Sequence, residues 1–141
     1  MGFNDFGYGI PVNCAPLSND GKSNLDFFED AYHQMLIGLR YFYPTSKIIC
    51  ATLMRTTLKQ NSQWHFLDRL GGSCIDEYND AIRRAASNCH IDLADIAKRH
   101  LSFADLTIRD RRYETLDGTH PTARGHQTIA KEWIACLSRL L

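Results

Sequence analysis

The chain has 141 residues, of which 44% are hydrophobic and 23% charged, the composition of an ordinary globular domain. Its 16 basic and 16 acidic residues cancel, so no net charge attracts the chain to nucleic acid or to an anionic membrane. The apolar runs are much shorter than the roughly 20 residues that a membrane span requires. These properties predict one domain over residues 1–141 that has no nucleic-acid partner and no membrane span.

Five cysteines are scattered along the chain without a C-x-x-C pair. An odd number without that spacing argues against a complete disulfide framework and against a structural zinc site. We expect reduced, mostly buried thiols, which favour a cytoplasmic protein. A signal peptide upstream of Met1 is the open alternative. No metal and no cofactor is predicted.

The first nine residues combine three glycines with asparagine, aspartate and aromatic residues, which is typical of turns. Pro11, Pro16 and the Asn19-Asp20-Gly21 sequence extend this predicted loop to about twenty residues. A loop of that length is uncommon unless it lines a site or is disordered.

Apolar residues at helical spacing predict a helix over residues 25–42, capped by Ser23 or Asn24 and stopped by Pro44. Gly38 lies inside this helix, where glycine costs about 1 kcal/mol relative to alanine. It indicates either a close approach to a neighbouring element or a neutral, tolerated position.

Residues 47–54 are a short, nearly continuous apolar run, which is typical of a strand buried in a parallel sheet, and residues 89–93 predict a second short strand. A second amphipathic helix is predicted between them over residues 75–89. A third, over residues 129–137, is predicted to pack on the sheet. This alternation of helices and strands predicts an α/β fold.

Catalytic chemistry is indicated most clearly near the C-terminus, where Asp117 and His120 are three residues apart. Gly118 allows a tight turn between them and Pro121 closes it. The Asp117 carboxylate can therefore fold back onto the imidazole, select its tautomer and stabilise the imidazolium, as in the base and orienter of a Ser-His-Asp triad. A metal site that includes His126 is the alternative, but the spacing fits no familiar zinc pattern.

Two blocks together resemble those of the SGNH (GDSL-type) hydrolases. Gly2-Phe3-Asn4-Asp5 is similar to the G-x-N-D block of that family, and Asp117-Gly118-Thr119-His120-Pro121 is similar to its D-x-x-H-P block. The resemblance covers the whole chain, but only the C-terminal two-thirds of the family's domain. It implies a partial flavodoxin-like, three-layer α/β/α fold with a parallel sheet whose N-terminal strands are missing.

The same resemblance implies the roles of the site residues. It assigns the general base to His120 and its orientation to Asp117, and it assigns an oxyanion-binding amide to Asn4, in a loop supported by Gly2. The family's nucleophilic serine stands in a G-D-S block that this sequence lacks. Ser73 is flanked by glycine but has no such context, so we expect the nucleophile to lie outside the chain.

Two functions stay open at this point. The first is a serine esterase acting on a small carboxylic ester. In that case we expect the sequence to be a shortened reading of a larger hydrolase. The second is a non-catalytic remnant that binds or assembles. Missing strands would leave apolar surface bare, which predicts self-association or a partner chain that supplies them. Trp64 and Phe66, after the first strand, are either hydrophobic plugs or a substrate wall.

Overall fold

The computed structural model describes residues 3–12, 25, 27–54, 75–99 and 120–141. The elements in chain order are α1 (Phe3–Tyr8), α2 (Phe28–Phe42), β1 (Ile49–Ala51), α3 (Ile75–Asn88), β2 (Asp92–Ala94), α4 (Ile96–Arg99) and α5 (Ala123–Leu137). Strands β1 and β2 form a parallel pair in which Cys50 lies opposite Leu93. The predicted α/β alternation with parallel strands is therefore confirmed.

The helices pack around this pair of strands. Helix α3 contacts both strands and packs along α2, whereas α5 contacts β2 and α4. The prediction that the last helix packs on the sheet is confirmed by the contact between α5 and β2. No helix within the described ranges combines the length and the apolar character needed to cross a membrane.

Helix α3 supplies the largest share of the core. Its buried side chains are Ile75, Tyr78, Asn79, Ala81, Ile82, Ala85 and Ala86. The ring of Tyr78 lies 4.9 Å from that of Phe28 in α2 and 5.7 Å, edge-on, from that of Phe6 in α1. Aromatic pairs at such distances stabilise a fold by about 0.5–1.5 kcal/mol beyond the area they bury. Tyr78 therefore joins three helices.

The prediction of a loop over the first nine residues is wrong for Phe3–Tyr8, which form α1. Phe6 is 1% exposed because it packs against Tyr78, and this long-range contact stabilises a helix that local propensity disfavours. Gly9 ends the helix with φ 72°, and its N–H donates to the Phe6 carbonyl at 3.1 Å. The glycine that suggested a loop is thus a helix terminator.

Helix α2 begins at Phe28, three residues later than predicted. The N–H groups of Phe28 and Glu29 donate to the carbonyl oxygens of Pro11 and Val12, at 2.8 and 3.0 Å. These acceptors satisfy donors at the start of the helix, and the N-cap position makes no side-chain hydrogen bond, so the predicted cap at residues 23–24 is wrong. The segment after α1 is held against α2 by the same two bonds.

Both strands are shorter than the sequence segments that predicted them. Strand β1 occupies only Ile49–Ala51 of residues 47–54. Strand β2 occupies Asp92–Ala94, whereas residues 89–93 were expected, because the chain first makes a turn after α3. His90 adopts a left-handed conformation in that turn, with φ 52°, which delays the extended segment.

Gly38 makes no close approach to a neighbouring element. Among the residues that the structure describes, a Cβ atom built on it meets nothing within 4 Å outside the helix's own backbone. Within that part of the chain the close-approach interpretation is wrong, which leaves the alternative of a tolerated position.

We predict that Gly38→Ala raises the free energy of unfolding by about 0.5–1 kcal/mol, because alanine restricts the unfolded chain and meets no atom in the folded one. Urea denaturation followed by circular dichroism measures the change. Gly9→Ala is the matched control and should destabilise by about 1–2 kcal/mol, because φ is 72° there. Equal effects of the two substitutions would contradict the helical assignment of Gly38.

Candidate active site

The structure describes two of the predicted site residues, Asn4 and His120. The others lie outside the described residues: Gly2, Trp64, Phe66 and Asp117. The contact between Asp117 and His120 therefore stays a prediction. So does the choice between plug and substrate wall for the two aromatic residues after β1.

Asn4 is exposed on the first turn of α1. The helix that carries it is anchored at two points, by the edge-on contact of Phe6 with Tyr78 and by the Tyr78 hydroxyl, which donates to the Ile10 carbonyl. Asn4 thus presents its amide to solvent from a backbone fixed against the core. The backbone that carries this donor is therefore in place before an anion binds.

His120 is exposed and lies just before α5. Thr122 is the N-cap of that helix, and its side chain accepts a hydrogen bond from the Gly125 N–H at 3.2 Å. Because α5 packs on β2 and α4, this cap fixes the direction in which the chain leaves His120. Among the described residues, no group of three or more His, Cys, Asp or Glu side chains could hold a metal ion.

A polar network that sequence reasoning missed joins the carboxyl ends of the two strands. The Thr52 hydroxyl, directly after β1, donates to Asp95 Oδ1, directly after β2, at 3.0 Å. The same hydroxyl accepts from the Ala97 N–H at 2.9 Å. Arg83 of α3 binds both Asp95 oxygens, at 2.8 and 3.0 Å. The network thus fixes the ends of both strands at the edge where ligands bind in many open α/β sheets.

The same network determines the acidity of Asp95. Burial raises the pKa of its carboxyl group, but hydrogen bonds from Arg83 and Thr52, with the charge of Arg83, outweigh burial and lower the pKa below its ordinary value. Partners inside the protein therefore hold Asp95 as a carboxylate. A group held in this way suits a structural role better than proton transfer.

Asn79, also missed from the sequence, holds the chain just past β1. It is 0% exposed, its Oδ1 accepts from the Leu53 N–H at 2.7 Å, and its Nδ2 donates to the Leu53 carbonyl at 3.2 Å. The amide thereby replaces the pairing that a neighbouring strand would provide. A polar residue on the apolar stripe of α3 is the sequence feature that could have identified it.

The cysteines do not supply a nucleophile within the described ranges. Cys50, Cys89 and Cys136 are free and buried, as the cysteine pattern predicts. Burial raises the pKa of the Cys50 thiol and that of the Cys89 thiol. Both therefore remain neutral thiols near pH 7, whereas the reactive form of cysteine is the thiolate.

Solved structures of other proteins share this fold. A crystal structure of a Lactobacillus plantarum protein matches 99% of the chain with a TM-score of 0.80 at 20% identity, and the chain covers 64% of it. A Parabacteroides merdae protein assigned as a GDSL-like lipase matches 96% of the chain with a TM-score of 0.66 at 19% identity, and the chain covers 56% of it. The chain thus has part of an α/β fold found in larger proteins.

Sequence comparison identifies the family. The model of the GDSL-like lipase/acylhydrolase family matches residues 1–128. A multidomain esterase of Ruminococcus flavefaciens is 28% identical over an alignment of 123 residues, and the match covers 83% of this chain and 14% of that protein. The chain belongs to the GDSL-like lipase/acylhydrolase family, which confirms the resemblance found in the two sequence blocks. It spans less than two thirds of each of these relatives.

We predict that Asp95→Asn makes the stability of the protein less sensitive to acid. The folded-state pKa of Asp95 lies below the unfolded value of about 3.9, so its carboxylate stabilises the fold above about pH 4. That contribution is lost as the pH falls through the folded pKa. Urea denaturation at pH 5 and pH 3 should therefore show a smaller loss of unfolding free energy in the variant than in the wild type.

Asp80→Asn is the matched control, because Asp80 pairs with the same arginine but is 57% exposed. Its stability should depend on pH almost as that of the wild type does, since an exposed ion pair contributes little. An equal flattening in both variants would show that Asp95 has no special role in the acid response.

Proposed function

We propose that this chain is the part of a serine esterase that carries the general base, its orienting carboxylate and one oxyanion donor. The observation that carries the proposal is the match of the family model to residues 1–128, which includes both blocks that contain the candidate residues. Asn4 and His120 are both exposed, as groups that act on an external substrate must be. The nucleophilic serine would come from outside these 141 residues.

The substrate would be a small carboxylic ester cleaved through an acyl-enzyme. The serine oxygen attacks the ester carbonyl while His120 takes the serine proton and Asp117 stabilises the resulting imidazolium. The Asn4 amide donates to the oxyanion, an interaction worth roughly 2.7–4 kcal/mol in a comparable enzyme. His120 then returns the proton to the leaving alcohol. Water, activated by the same imidazole, releases the acid and regenerates the serine.

The second candidate is a non-catalytic module that binds or assembles. It is favoured by apolar side chains that α5 leaves in solvent, Ile134 at 61% and Leu137 at 46% exposure. A second copy or a partner chain would cover such residues. The two candidates differ in one respect that can be measured directly, which is the effect of His120 on hydrolysis.

We predict that the 141-residue chain hydrolyses p-nitrophenyl acetate no faster than its His120→Ala variant, once background from other histidines is subtracted. Loss of the serine alone costs roughly six orders of magnitude in turnover in a serine protease, so base and orienter cannot compensate for it. A fluorophosphonate probe that labelled one serine of this chain stoichiometrically would contradict the proposal.

A longer protein that carries an upstream Gly-Asp-Ser segment should hydrolyse the ester. His120→Ala should abolish that activity, and Asn4→Ala should lower kcat by about 10²–10³-fold. His126→Ala is the matched control, because His126 is an exposed histidine of α5 outside the proposed site, and it should leave kcat unchanged. Full activity of the longer protein without His120 would favour the non-catalytic alternative for this segment.

A further inference from the structure

A polar cavity of about 270 Å³ opens at the amino ends of the two strands, at the edge of the sheet opposite Thr52 and Asp95. One wall is the chain between α2 and β1, which contributes Tyr43 and Lys47. The other wall is the turn between α3 and β2, which contributes His90 and Asp92. Arg40 of α2 also lines the cavity. None of these residues belongs to the proposed active site.

Within the described part of the chain, the two cations of this cavity lack the carboxylate partners that two arginines of α3 have. Arg83 and Arg84 of α3 bind carboxylates at 2.7–2.8 Å. Within the described part of the chain, by contrast, neither Arg40 nor Lys47 forms an ion pair. Among the described residues, Arg40 donates one N–H to the Cys89 carbonyl, whereas a guanidinium has five such donors. Two cations that line one cavity and have no carboxylate bound to them are suited to a ligand that carries a carboxylate.

Backbone hydrogen bonds preform both walls. The Ser46 N–H donates to the Tyr43 carbonyl at 3.1 Å, which closes the turn after α2. The His90 N–H donates to the Ser87 carbonyl at 3.1 Å and the Ile91 N–H to the Ala86 carbonyl at 2.9 Å, which closes the turn after α3. A ligand would therefore find the cavity largely built, and binding would require little ordering of the loops.

The charge of the lining selects the class of ligand. Arg40 and Lys47 contribute two positive charges and Asp92 one negative charge, which leaves a net charge of one positive when His90 is neutral. A ligand with a single negative charge balances the net charge of the lining. A dianion such as a phosphate monoester would exceed that charge and would be repelled by the Asp92 carboxylate. Tyr43, 57% exposed, adds an aromatic ring to the lining, and the apolar body of a ligand can pack against such a ring.

We propose that this amino-edge cavity binds a small organic monocarboxylate. Its carboxylate accepts hydrogen bonds from the Arg40 guanidinium and the Lys47 ammonium, and its apolar body lies against Tyr43. Guanidinium groups bind carboxylates through parallel hydrogen bonds, which supplies specificity together with affinity. The site does not depend on the proposed esterase function.

The test is a ¹H–¹⁵N NMR titration of the 141-residue chain with sodium benzoate. Saturable shifts are expected at the amides of residues 43–48 and 90–92. Inorganic phosphate should bind more weakly, and benzylamine, which has the same ring with a positive charge, should shift these amides only slightly. Equal responses to benzoate and benzylamine, tighter binding of phosphate than of benzoate, or shifts that never saturate would overturn the proposal.

Two variants with opposite expected effects on affinity distinguish a loss of binding from a loss of folding. Lys47→Gln should weaken benzoate binding severalfold, the effect of losing a charge-assisted hydrogen bond at an exposed lysine. Asp92→Asn should tighten it severalfold, and a gain in affinity cannot come from misfolding. Lys131→Gln, at an exposed lysine of α5, is the matched control and should leave affinity unchanged. Weakening by Lys131→Gln as large as that by Lys47→Gln, or no gain from Asp92→Asn, would overturn the proposal.

Discussion

Two consecutive buried residues of α3 hold together segments that are far apart in the chain. Tyr78 packs its ring against Phe6 and donates its hydroxyl to the Ile10 carbonyl, so α1 and the residues after it cannot leave the core separately. Asn79 binds the backbone N–H and carbonyl of Leu53 and so satisfies the hydrogen-bonding groups of that residue, just beyond β1. Each polar atom is buried with a partner, and leaving one unpaired would cost about 1–3 kcal/mol.

This arrangement explains how a small sheet can position a site. Strands of three residues each provide few ladder hydrogen bonds, so side chains complete the pairing at their carboxyl ends. Thr52 and Asp95 bind each other there, and Arg83 ties Asp95 to the helix that also carries Tyr78 and Asn79. Helix α3 is thereby connected to α1, which carries Asn4, and to the ends of both strands.

The sequence predicted those parts of the fold that depend on local pattern. Helices α2, α3 and α5 follow from apolar spacing, and the two blocks around Asn4 and His120 identified the family. Helix α1 could not be predicted, because the partner that buries Phe6 is Tyr78, far away in the sequence. For the same reason Thr52 and Asp95 were missed, since a threonine and an aspartate acquire their roles only when parallel pairing places them side by side.

The two edges of the sheet differ in how their charges are satisfied, and that difference separates structural groups from candidate binding groups. At the carboxyl edge Asp95 has its full set of partners inside the protein, so a ligand would have to displace Arg83 to reach it. At the amino edge Arg40 donates to a carbonyl, lines the cavity and forms no ion pair with a described residue. Because a guanidinium binds a carboxylate through charge-assisted hydrogen bonds, selection for binding would act on the second edge and selection for stability on the first.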